Sequence, residues 1–155
     1  MLIEEYFYFF FILYYMFYTY DYTNFPNITI YFSKQLIQDE ELDLFLKDWE
    51  DLYAKNIPFT LIFDTTAMSS CIPLFRHSFK VINFIKHLKS LPPLLKKSII
   101  IVDNDVIKNT LFFIFQLESP LAPVYITKPL DIKKFLKNLE FSEHWYSDDI
   151  IKIVP

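Results

Sequence analysis

PFTLIFDTTAMSS, residues 58–70, opens on an unbroken apolar run and closes on an aspartate followed by hydroxyls. The run FTLIF, 59–63, is the pattern of a β-strand covered on both faces, because every side chain is apolar or β-branched rather than every second one. Asp64, Thr65 and Thr66 then mark the strand's carboxyl end. Working outward from this strand sets the fold class.

Upstream, ITIYF at 28–32 reads as a second strand. Between the two lies QDEELDLFLKDWEDLYAKN, in which Leu42, Phe45, Leu46, Trp49, Leu52 and Tyr53 recur at the spacing of one α-helical face. Asp39, Glu40 and Glu41 sit in its first turn, where carboxylates suit the positive end of the helix dipole. Downstream, the spacing predicts a helix over about 73–89 with Phe75, Phe79, Ile82, Ile85 and Leu88 inward. Pro73 fits its first turn, and Leu91-Pro92-Pro93 ends it. SIIIV at 98–102 is another fully buried strand. Residues 106–117 read as a helix apolar nearly all round and therefore deeply packed. APVYIT at 122–127 is a further strand, Ile132, Phe135, Leu136 and Leu139 suggest a short final helix, and IIKIV at 150–154 suggests an edge strand.

Alternation of strands and helices implies βαβ units, a mostly parallel sheet and helices on both faces. In such sheets ligands gather beyond the carboxyl ends of the strands. Asp64, Asp103 with Asn104 and Asp105, and Thr127 with Lys128 all fall there.

Composition narrows the chemistry. The 155 residues suffice for one domain, and 53% are apolar and 20% aromatic, with 18 Phe and 11 Tyr. A net charge of −4 argues against a generally basic nucleic-acid binder. With no glycine at all, glycine-built phosphate loops are excluded, and turns fall to Asn, Asp and Pro. The single cysteine, Cys71, forms no internal disulfide and suits a reducing compartment, hence a cytoplasmic location. Richness in Phe, Tyr, Ile, Lys and Asn also suggests A+T-rich coding, which fits a large DNA virus or certain protists.

Residues 6–20, YFYFFFILYYMFYTY, carry no charge. The run falls short of the about 20 apolar residues of a spanning helix, and it lacks the features of a signal peptide. It reads first as a segment packed onto the domain and second as a membrane anchor.

The order strand, helix, FTLIFDTTAM, helix, SIIIVDN, helix, APVYIT, helix resembles the STAS domain of bacterial anti-sigma-factor antagonists over about residues 25–140. The resemblance implies a single STAS-like α/β domain at 25–155 behind an aromatic segment at 1–24, and a compact partner-binding module. It also implies a phosphorylation switch at a serine after the FTLIFD strand, for which this chain offers Ser69 and Ser70 without the family's glycine. LKSLPPLLKKSIIIVDN is similar to CRAL-TRIO lipid-binding domains, which implies an apolar pocket of roughly 300 Å³ or more. YITKPLDIKKFL looks like the end of a receiver domain. That likeness would make Asp64 a phosphate acceptor, although Asp103 stands where a hydroxyl belongs.

No candidate site has a strong spacing signal. Cys71, His77 and His87 match no metal-ligand or nucleophile–base pattern. Asp64, Asp103 and Asp105 read as helix caps and turn residues before they read as a cation site. The distinctive feature is charge. From Thr65 to Val102 there is no acidic residue, whereas Arg76, Lys80, Lys86, Lys89, Lys96 and Lys97 all lie there. An unbalanced run of this kind predicts a positive patch facing an acidic protein surface or anionic lipid headgroups. The sequence therefore points to a non-catalytic interaction module with no cofactor or metal. A lipid-binding protein is the alternative. An enzyme or phospho-switch built on Asp64, Ser69, Ser70, Asp103 and Lys128 is the third reading.

Overall fold

The computed structural model describes residues 16–68, 73–129 and 150–155, with residues 73–75 as backbone alone. Tyr18–Asp21 (β1) and Asn27–Phe32 (β2) form an antiparallel hairpin. Asp39–Asp51 (α1) and a 3-10 turn at Tyr53–Lys55 lead to Phe59–Asp64 (β3). Pro73–Leu88 (α2), Leu95–Ile101 (β4), Asp105–Leu117 (α3), Val124–Thr127 (β5) and Ile151–Ile153 (β6) follow. The strands of the described residues form one sheet in the order β1-β2-β3-β4-β5-β6.

The sequence expectation of an α/β chain holds, but the sheet is mixed rather than mostly parallel. β2 to β5 run parallel, whereas β1 and β6 are antiparallel edges. For β1 the reason is the connection: residues 22–26 are too few for a crossover, so the chain can only fold back. Tyr18, Thr19 and Tyr20 of the aromatic run thus belong to the sheet, and residues 6–15 lie outside the described residues.

The expectation of helices on both faces extends to residues 130–149, which lie outside the described residues. The described α1, α2 and α3 share one face, where Trp49, Ile85 and Ile114 border a common cavity with Phe63, Ile100 and Val124 of the strands. Each crossover steps one strand in the same direction, and crossovers of a single hand then leave every helix on the same side. The reversal of strand order that makes a ligand crevice in doubly wound sheets is missing from β2 to β5.

The main core lies under these helices. Ile28, Ile30, Leu61, Phe63, Ile100 and Val124 of the strands belong to one cluster with Leu42, Phe45, Leu46 and Trp49 of α1. On the opposite face Ile62, Ile99 and Ile101 cluster with Ile150, so β3 and β4 are buried on both sides, as FTLIF and SIIIV require. Burial of each such side chain contributes about 1.5–3 kcal/mol.

α1 is buried along the face its periodicity predicts. Gln38 and Glu41 close its first turn reciprocally as a capping box. α2 is rotated from its expected setting. Ile82, Ile85 and Leu88 point inward, but His77 and Ser78 are buried beside them and Phe79 is 59% exposed. Phe79 instead meets Phe113 of α3 edge-to-face at 6.1 Å. The side chain of Phe75 lies outside the described residues. α3 is less deeply packed than its composition suggests: Ile107, Thr110 and Ile114 are buried, while Val106 and Leu117 are exposed. The final helix expected at 132–139 lies outside the described residues. Asn56 supplies the one positive φ of the described chain, 52°, and serves where glycine is usual. No helix of the described residues is long and apolar enough to cross a membrane.

Candidate functional site

At the carboxyl end of the parallel strands, Asp64 is used locally. Its Oδ1 accepts from Thr66 N at 3.0 Å and from Thr66 Oγ1 at 2.6 Å, closing a turn on itself. Thr65 is buried and donates its hydroxyl to Ile101 O at 2.7 Å, stitching β3 to β4. Asn104 caps α3 by accepting from Val106 N at 2.8 Å. Asp103 is exposed beside it. The Lys108 ammonium, 2.8 Å away, holds the Asp105 carboxyl below its ordinary range, with a smaller contribution from the charge of Lys128. Asp64, Asp103 and Lys128 therefore lie at the carboxyl ends of three adjacent strands, with Asp64 engaged in its own turn. Among the described residues no cluster of His, Cys, Asp and Glu could hold a metal ion. Ser69, Ser70 and Cys71 lie outside the described residues.

The basic residues divide into two sets. Arg76 donates to Asp39 at 3.1 Å, Lys80 pairs with Asp43 at 2.7 Å, and His87 Nε2 lies 2.7 Å from Glu50. His77 sits between Asp39 Oδ1, 3.3 Å from its Nδ1, and Ile37 O, 3.4 Å from its Nε2. These contacts form a ladder from α1 to α2. Further along, Lys89 pairs with Glu118 and donates to Ser119. Lys86, Lys96 and Lys97 make no ion pair among the described residues. They lie toward the end of the sheet where the parallel strands begin, since α2 finishes and β4 starts there. Lys96 falls at the break in register between β3 and β4.

Sequence reasoning saw the basic run but missed its acidic partners. The signal was present: carboxylates in α1 and cations in α2 repeat at one common offset. It becomes meaningful only once the two helices are known to be parallel neighbours.

Under the helices lies an apolar cavity of about 160 Å³. Phe17, Phe32, Phe45, Trp49 and Phe63 form an aromatic part of its wall. Its volume is below the roughly 300–1,000 Å³ of drug-sized ligand sites. It is smaller than the apolar pocket that the CRAL-TRIO likeness implies, because the size of a cavity is a mismatch of packed volumes that no local pattern encodes.

The chain was compared with protein-family models, curated proteins and solved structures. It matches none of them.

Proposed function

We propose that the chain is a non-catalytic protein-interaction module of the STAS-like kind, which docks an acidic protein surface through Lys86, Lys96 and Lys97. The observation that carries this reading is the division of the basic residues. Arg76, Lys80 and Lys89 are partnered within the chain, whereas Lys86, Lys96 and Lys97 make no ion pair among the described residues and share one end of the sheet. Unpaired cations on a surface raise the rate and selectivity of encounter with an oppositely charged partner. The element order β2-α1-β3-α2-β4-α3-β5, on which the STAS resemblance rests, supports the same reading.

The test compares partner capture from cells of origin by the full chain and by a Lys86→Glu, Lys96→Glu, Lys97→Glu variant. A variant reversed at Arg76, Lys80 and Lys89 serves as the charge-matched control. The triple variant should lose the partner at least tenfold while the control keeps it. Undiminished capture by a folded triple variant would refute the docking site. Co-sedimentation with phosphatidylserine vesicles that the triple variant loses would reassign the same lysines to an anionic lipid surface.

A further inference from the structure

Ser98 lies on β4 with Leu61 of β3 and Val124 of β5 as its lateral partners. Side chains alternate along a strand, so Ser98 shares the helix-covered face with Ile100, whereas Ile99 and Ile101 cluster on the other. It is 4% exposed and borders the apolar cavity, yet its hydroxyl makes no hydrogen bond among the described residues. Among those residues the polar side-chain atom sealed in packing without a partner is Trp49 Nε1, which no guest could reach. The Ser98 hydroxyl is neither bonded nor sealed, so it opens into the cavity that its residue borders. The other polar side chains of the wall are engaged: Thr65 Oγ1 donates to Ile101 O, and the His77 nitrogens face Asp39 and Ile37 O. Thr65 also stands beyond the level of Ser98 by about 13 Å along the strands, since it follows Leu61 by four residues. A water molecule needs two to four polar partners, and of the wall's side chains Ser98 alone is available at this level. Apolar cavities near 150 Å³ stay dry and accept a benzene-sized guest.

We infer that this cavity is a binding site for a neutral one-ring molecule carrying a single acceptor oxygen, which receives the Ser98 hydroxyl proton. Its volume, about 160 Å³, admits one ring with a short substituent and excludes a long acyl chain. Phe63 and Ile100 are the lateral pair next along the same face, so a guest held at Ser98 places its ring beside them, where an aromatic guest gains edge or offset contact with Phe63. The almost wholly apolar lining would leave an ionised guest without a counter-charge. Lys86, Lys96 and Lys97 do not border the cavity, so this site and the lysine surface can fail independently.

The experiment titrates the full chain by calorimetry with two probes of nearly the same shape, acetophenone with a carbonyl acceptor and α-methylstyrene without one. Acetophenone should bind roughly five- to tenfold tighter, the gain of one buried hydrogen bond. Ser98→Ala should erase that preference while retaining both guests. Its thermal midpoint should be no lower than that of the wild type, because it removes a hydroxyl that the empty cavity leaves unpaired. Filling the cavity through Ala122→Leu, or through Val81→Phe should the first variant fail to fold, should weaken both guests by about tenfold or more. Absence of binding to the folded wild-type chain, or binding that a folded filling variant leaves unchanged, would overturn the site. Equal affinity for the two probes, or a preference that survives Ser98→Ala, would overturn the role given to Ser98. A lowered midpoint for Ser98→Ala would do the same, by showing that the fold itself uses the hydroxyl.

Discussion

Asp43 and Lys80 meet 2.7 Å apart across the junction of α1 and α2, at the same sequence offset, 37 residues, that separates Asp39 from Arg76 and Glu50 from His87. The constancy has a structural cause. α1 and α2 belong to consecutive βα units stepping the same way across the sheet, so they run parallel and advance together at about 1.5 Å per residue. A fixed offset therefore keeps every rung level, and acids on one helix meet cations on the next along its length.

These rungs are solvent-exposed, so each should contribute only about 0.2–1 kcal/mol. Asp43→Lys and Lys80→Glu should each lower the unfolding free energy from urea titration by an amount in that range or slightly above it, because each also creates a like-charge contact. The double swap should recover most of the loss, giving a coupling energy that shrinks in high salt. If the two single losses simply add, the pair makes no energetic contact.

Asn56 holds a left-handed conformation, φ 52°, at the end of the 3-10 turn that precedes β3. Its backbone N–H returns to Tyr53 O at 3.1 Å. Asn56→Ala should cost up to about 1 kcal/mol, because alanine keeps the β-carbon clash and loses the short polar side chain whose local hydrogen bonding offsets it in asparagine. Asn56→Gly should be tolerated, since glycine takes this conformation without that clash. Equal behaviour of the two variants in thermal unfolding would refute the steric argument.

Leu61 is fully buried at the centre of β3, whereas Tyr31 on neighbouring β2 is 47% exposed. Leu61→Ala should destabilise the fold by about 2–5 kcal/mol, and Tyr31→Ala by no more than about 1 kcal/mol. Denaturant unfolding of both variants checks the ordering. Similar costs would mean that Tyr31 packs more closely than its exposure indicates.

Alkaline pH should loosen the hairpin and α1 region. Burial pushes the Tyr53 hydroxyl from its ordinary 10.0 up to about 12. Tyr18 and Tyr20 are raised as well, by burial first and then by Asp48, whose carboxylate accepts from Tyr18 Oη at 2.7 Å. A hydroxyl raised on folding favours the folded state while it is neutral. Its contribution is complete below pH 10, and for Tyr53 it is lost as pH climbs from 10 through about 12. Unfolding free energy should fall across that window in step with tyrosinate absorbance. Tyr53→Phe should remove part of the slope and leave the share of Tyr18 and Tyr20. A slope unchanged by Tyr53→Phe would show that this hydroxyl is solvated.

The sequence by itself determined the elements whose burial follows a local period. FTLIF and SIIIV are strands covered on both faces, and the Leu42–Trp49 stripe is the inner side of α1, because apolar periodicity reports which side chains must leave water. It also determined that Asn, Asp and Pro would make the turns, with Asn56 doing so at positive φ. Periodicity could not settle which apolar side chain stays outside when more are present than the core admits, which is why Phe79 on α2 and Val106 and Leu117 on α3 were misjudged. The tertiary structure alone decided the sequential strand order, the shared face of the described helices, the ladder from Asp43 to Lys80, and the cavity beside Trp49. Each depends on atoms far apart in the chain being brought together, and no local pattern of residues carries the distance between them.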